Sequence, residues 1–135
     1  MRAARKIRVH CPIARHTLVQ LLEGDLAAIE TDPSASKMLA IIRDHNALGD
    51  FDLYQGVFEM SVGVEGFTAS EAAQPAAGER GRATLSPTAI FTTYIDAAVN
   101  SAEVSALIEA LVRAHPWEVP VIELSDATVQ LVRAR

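Results

Sequence analysis

The side chains best suited to metal binding or nucleophilic chemistry are His10, His16, His45, His115 and Cys11, which are all the histidines and cysteines in the chain. No two histidines stand at H-x-x-x-H spacing, which would put both on one face of a helix. A single cysteine forms neither a zinc knuckle nor an internal disulfide. His10 neighbours Cys11, but in a strand adjacent side chains point to opposite faces. A metal site would therefore have to assemble from distant segments, with His10, His115, Glu118 and Glu59 as the natural contributors. We take His10, His115 and Glu118 as the candidate ligands of a divalent metal ion, the one cofactor these residues suggest.

Carboxylates are plentiful, among them Asp44, Asp50, Asp52, Glu59, Glu65 and Asp96, but none forms a recognisable catalytic pair. Asp50 and Asp52 flank Phe51 in a turn-like stretch, where acidic residues serve local hydrogen bonding. There is no G-x-S-x-G elbow, phosphate-binding Walker loop or dinucleotide fingerprint. The run Gly78-Glu79-Arg80-Gly81-Arg82 could bring two arginines to an anion, so Arg80 and Arg82 join the candidate ligand residues. The most distinctive string is His115-Pro116-Trp117-Glu118-Val119-Pro120. Pro116 must stop a helix, and Trp117, the only tryptophan, can fill space between helix and sheet. A fully buried ring there would make Trp117→Ala cost about 3–5 kcal/mol. Glu118 is placed to accept backbone N–H groups or to pair with a cation across an interface. His115, Trp117 and Glu118 are thus read as ligand or interface residues.

The elements that must position these residues follow from periodicity. Lys6–Ile13 alternates as a half-buried strand, with Ile7, Val9, Cys11 and Ile13 inward. Leu18, Leu21, Leu22, Leu26 and Ile29 follow helical spacing. Asp32 and Pro33 suit the N-cap and first position of a second helix, whose stripe is Met38, Leu39, Ile41 and Ile42 and which Gly49 terminates. Residues 53–67 read as one long strand with Phe58, Met60, Val62 and Val64 on the core face. Thr68–Thr88 reads as a flexible loop. Ala89–Val99 is a strand, with Phe91 or Tyr94 left on the sheet's other face according to register. Asn100 caps the clearest helix, with Val104, Leu107, Ile108, Leu111 and Val112 as its stripe and Glu103 able to reach back. Val119–Leu124 is a strand, and Ala127–Arg133 is a fifth strand or an intersubunit arm.

The expected architecture is α+β: a ferredoxin-like βαββαβ domain over residues 1–135, an antiparallel sheet with helices on one face and an extra helix in the first crossover. Its 135 residues make one domain, large enough to bury a core without disulfide or metal. The net charge of −5 and pI near 5.3 argue against a nucleic-acid partner. Arg2, Arg5, Lys6 and Arg8 read as a solvated lead into the first strand. No apolar run is long enough to span a bilayer and no signal sequence is evident, so we expect no membrane partner and a cytoplasmic location.

The stretch from Ala102 to Leu124, AEVSALIEALVRAHPWEVPVIEL, resembles the C-terminal part of the CutA divalent-cation tolerance proteins and the related insert domain of YqfO-type proteins. Both carry a helix ending in His-Pro-Tyr-Glu-x-Pro that runs into a strand, and Trp117 stands in the tyrosine position. The close match covers about a quarter of the chain, while the helical region from Thr17 to Asn46 is longer than in either family. The resemblance implies a homotrimeric PII-like ferredoxin fold, with strands exchanged between subunits. It also implies a ligand or partner role for the loop between the second and third strands. The functional expectation is a non-enzymatic oligomeric module binding a metal ion or small molecule at subunit clefts. The alternatives are a small dimeric α/β-barrel enzyme with a pocket between helices and sheet, and a structural assembly subunit.

Overall fold

The computed structural model describes residues 1–135. The strands are β1 (Arg2–Pro12), β2 (Glu59–Thr68), β3 (Ala83–Asp96) and β4 (Ile122–Leu131); the helices are α1 (Arg15–Leu22), α2 (Ala35–Asp44) and α3 (Ser101–Ala114). A 3-10 helix, Leu26–Thr31, separates α1 from α2. The sheet order is β2-β3-β1-β4 and all three pairings are antiparallel. This is the ferredoxin-like βαββαβ arrangement, with the extra helical segments in the first crossover.

The core lies between the sheet and the helices. Ile7, Val9 and Cys11 of β1 and Ala89, Phe91 and Ile95 of β3 meet Met38, Leu39 and Ile42 of α2 and Val104, Leu107 and Leu111 of α3. Phe91 is fully buried in this core, so it does not lie on the other sheet face. That face carries Arg8 and His10 of β1, Thr92 and Tyr94 of β3, Glu59 and Glu65 of β2, and Glu123 of β4, as strand alternation and register require. It is mostly polar, with Ile90 and Phe67 among these residues, and it is cross-linked. Arg8 lies 3.6 Å from Glu123, and the Tyr94 hydroxyl donates to Glu59 Oε1 at 2.6 Å.

Several elements depart from the sequence reading. The first helix ends at Leu22, and Gly24 turns the chain with φ +93°, leaving Leu22 and Leu26 exposed. Helix α2 starts at Ala35, two residues later than Pro33 would suggest. Asp32 still caps it: Oδ1 accepts from the N–H groups of Ser34 and Ala35, while Oδ2 accepts from Ala14 N–H and the Thr17 hydroxyl. One buried carboxylate therefore ties the starts of α1 and α2 together.

Strand β2 begins at Glu59 rather than Leu53, because Phe51–Gly56 closes a turn in which Asp52 and Gly56 both take positive φ. Gly49 does not terminate α2. It donates to Tyr94 O and accepts from Val57 N–H, and a Cβ there would collide with the Val57 backbone. Strand β3 starts at Ala83, so only residues 69–82 of the expected loop join β2 to β3. The two C-terminal strand segments form one strand, β4, pairing with β1 across an irregularity between Arg5 and Ile7.

Candidate functional site

The α3–β4 junction is built around His115. Helix α3 opens on Asn100, whose Oδ1 accepts from Glu103 N–H, and ends before Pro116. The ring of His115, buried at 7% exposure, turns back toward the end of the interior strand β1. Its Nδ1 accepts from Trp117 N–H at 3.1 Å, so Nε2 carries the proton that reaches His10 O at 2.7 Å. Burial holds its pKa below the ordinary histidine value, against the opposing hydrogen bond to His10. It is a neutral brace between α3 and β1.

Beside this brace, Trp117 packs edge-to-face on Phe67, with ring centroids 5.5 Å apart. The indole is half-buried at the end of the sheet rather than enclosed between helix and sheet. Residues 69–82 fold over this end. Ala69 bridges Arg80, Gly78 sits against Thr84 with φ +78°, and Arg80 Nε donates to Ala73 O. Glu118 Oε1 accepts from Gln74 N–H at 2.5 Å, tying the loop to the junction. A cavity of about 210 Å³ lies beneath, lined by Glu65, Phe67, Gln74, Pro75, Trp117 and Glu118, with Ala69, Ala73, Ala76 and Val119. Glu65 Oε1 and Trp117 Nε1 are buried and make no hydrogen bond within the chain. Burial raises the Glu65 pKa, against the attraction of His10.

His10 lies next to this pocket on the polar sheet face. Its Nε2 is 2.7 Å from Glu123 Oε2 and its Nδ1 is 4.0 Å from Glu65 Oε1. Glu123 is held below the usual carboxylate range by that hydrogen bond and the nearby Arg8. The three metal candidates are not brought together. His115 has both ring nitrogens engaged, Glu118 faces Gln74, and His10 faces Glu123. No group of three His, Cys, Asp or Glu side chains is arranged to hold a metal ion. Arg80 is tied into its own loop, and Arg82 stands exposed beside Glu79. Neither lines the cavity. Cys11 is buried, and burial, with Asp32 and Glu65 nearby, pushes its thiol up to about 12.

A larger cleft of about 710 Å³ lies at the opposite end of the sheet, between residues 51–54 and the chain ends. Met1, Arg2 and Gln130–Arg135 form much of its wall. One buried polar atom of its wall, Arg2 Nε, makes no hydrogen bond but lies 3.3 Å from Asp96 Oδ2, whereas the smaller cavity has two such atoms, of Glu65 and Trp117. Sequence reasoning found Trp117, Glu118 and His115 but gave no role to Glu65 and Phe67. The available signal was an aromatic, Phe67, in phase with the polar face of β2.

No family model matches the chain, and no curated protein matches it in sequence. Among solved structures, the fold is similar to that of a Bacillus cereus protein related to NIF3. The TM-score is 0.59 and the identity 18%, over 94% of this chain and 27% of the other. The chain thus spans about a quarter of that protein's length, and at this identity the likeness is one of fold. No helix is long and apolar enough to cross a membrane.

Proposed function

We propose that the chain is a non-enzymatic, oligomeric module of the PII/CutA-like kind that binds a small molecule beside Trp117. The observation that carries this reading is the cavity under the 69–82 loop, where two buried polar atoms, Glu65 Oε1 and Trp117 Nε1, make no hydrogen bond within the chain. Buried polar groups are generally satisfied, so a pair left open in one cavity suits a ligand that completes them. The roof belongs to the loop between β2 and β3, the segment to which the PII-like resemblance gives a ligand role. A small molecule fits better than a metal ion, because His10, His115 and Glu118 point to different partners.

Oligomerisation is supported by the far end of the β2–β3 hairpin. On its helix-side face Val62, Val64 and Leu85 are 40%, 65% and 79% exposed, beyond the reach of the helices. The outer edges of β2 and β4 are also unpaired. Burying such a surface between copies is a common use of it. A trimer is the state this reading expects. Binding rather than turnover is favoured because the buried thiol and the neutral, doubly engaged His115 offer no activated nucleophile or free base.

Native mass spectrometry of protein purified without chelator tests both halves. The expected spectrum is a trimer carrying a small retained organic mass. A strict monomer at micromolar concentration refutes the oligomer, and a retained metal ion in place of an organic mass refutes the ligand class.

A further inference from the structure

The chemistry of the cavity wall narrows the ligand. Two of the lining side chains are carboxylates, Glu65 and Glu118, and none is a lysine, arginine or histidine. Its aromatic surface is the Phe67–Trp117 pair, set edge-to-face. An ammonium group is attracted both to an aromatic face and to a carboxylate. Glu65 Oε1 is a buried acceptor without a donor, and His10 approaches it only to 4.0 Å. Trp117 Nε1–H is a donor without an acceptor, which an ammonium nitrogen cannot supply. The ligand therefore needs an oxygen as well as a cationic centre. At about 210 Å³ the space is below that of drug-sized sites and suits a small ligand.

We propose that this cavity binds a small organic ammonium ion that also carries a hydroxyl. The cation sits against the Phe67–Trp117 rings and the Glu65 carboxylate, while the hydroxyl accepts from Trp117 Nε1–H and donates to Glu65 Oε1. Glu118 contributes negative potential while its Oε1 accepts from Gln74 N–H and so ties the 69–82 loop to the edge of the cavity. The inference rests on the small-molecule reading above and gives that reading its ligand class.

Because Trp117 is the only tryptophan, its fluorescence reports this site alone. The full chain is titrated with choline, with its uncharged isostere 3,3-dimethylbutan-1-ol and with succinate. Choline is expected to shift the emission saturably, with the isostere at least about tenfold weaker and succinate silent. Glu65→Gln should weaken choline by at least about tenfold with its circular dichroism spectrum unchanged. Phe67→Leu, which keeps an apolar residue in the strand, should weaken choline and leave Glu65 in place. Equal binding of choline and the isostere, or wild-type affinity in Glu65→Gln, overturns the proposal. A response to succinate without one to choline overturns the ammonium class but keeps a small-molecule site. Silence toward all three probes overturns the ammonium class, while the small-molecule reading stands or falls on the organic mass in the native mass spectrum.

Discussion

The Nε2–H of His115 donates to the main-chain carbonyl of His10 at 2.7 Å, joining the end of α3 to β1 across 105 residues of sequence. Its Nδ1 closes the turn to Trp117 N–H. His115→Ala leaves a buried carbonyl without its donor and should destabilise the fold by about 1–3 kcal/mol in urea unfolding. The pKa of this histidine is lowered by burial, with the hydrogen bond to His10 opposing, so the unfolded chain takes up its proton first as pH falls. The stability that neutral His115 contributes is present above the unfolded pKa of about 6.5 and is lost below it. His115→Gln should flatten the stability profile as pH falls below the unfolded pKa of about 6.5. An unchanged slope would remove the brace.

Asp32 holds two helices at once, so its loss should exceed that of an ordinary cap. Asp32→Ala is expected to cost roughly 2–4 kcal/mol by chemical denaturation. Burial pushes this carboxyl up, but donations from Ala35, Ala14, Thr17 and Ser34 outweigh it and hold the pKa below the ordinary value. A depressed folded pKa means the contribution is present above the unfolded pKa and is lost as pH falls through the folded one. Wild type and Asp32→Ala should therefore converge in stability in strong acid. Parallel curves down to that range would contradict the double cap.

Trp117 is half-buried and rests on Phe67, so its truncation should cost less than that of a fully enclosed ring. Trp117→Ala is expected to lower stability by about 1–2 kcal/mol. Trp117→Phe should recover most of it. A loss near 4 kcal/mol, measured by thermal melts with a van't Hoff fit, would mean that the ring is enclosed in the protein as studied, for example by a neighbouring subunit.

Glu65 has the opposite sign. Burial raises its folded pKa, so the ionised carboxylate weakens the fold above that pKa, and the penalty disappears as pH falls toward the unfolded value. Glu65→Gln should raise the melting temperature at pH 7, with the gain shrinking in acid, while choline binding by the wild type fades over that same acid range. Charged neighbours that also act there are His10 and Glu118. A Glu65→Gln protein less stable than wild type at pH 7 would show that Glu65 has a firm partner.

Cys11 should resist alkylation in the native state, since its side chain is buried in the core and its thiol is pushed up to about 12. Labelling by iodoacetamide at pH 8 should proceed only at the rate of opening. Labelling at the speed of a free thiol would place β1 outside the core.

What the sequence determined alone was local. The stripe of Val104, Leu107 and Leu111, the Asn100 cap, the Pro116 stop and the inward phase of Ile7, Val9 and Cys11 are all set within one element. The element order was enough to suggest the ferredoxin-like sheet. The candidate site was half legible, because Trp117 and Glu118 sit in a distinctive string while Glu65 and Phe67 do not. Tertiary structure alone decided that these four residues share one cavity. The β2–β3 hairpin register sets Phe67 opposite Thr84, the loop folds back on that pair, and the α3–β4 junction brings Trp117 to it. The same holds for Asp32, whose second helix start lies 18 residues upstream, and for His115 and its distant carbonyl. Side-chain periodicity reports which way a residue points within its own element. Which residue it meets depends on sheet register and loop closure, and those are settled by packing the whole core.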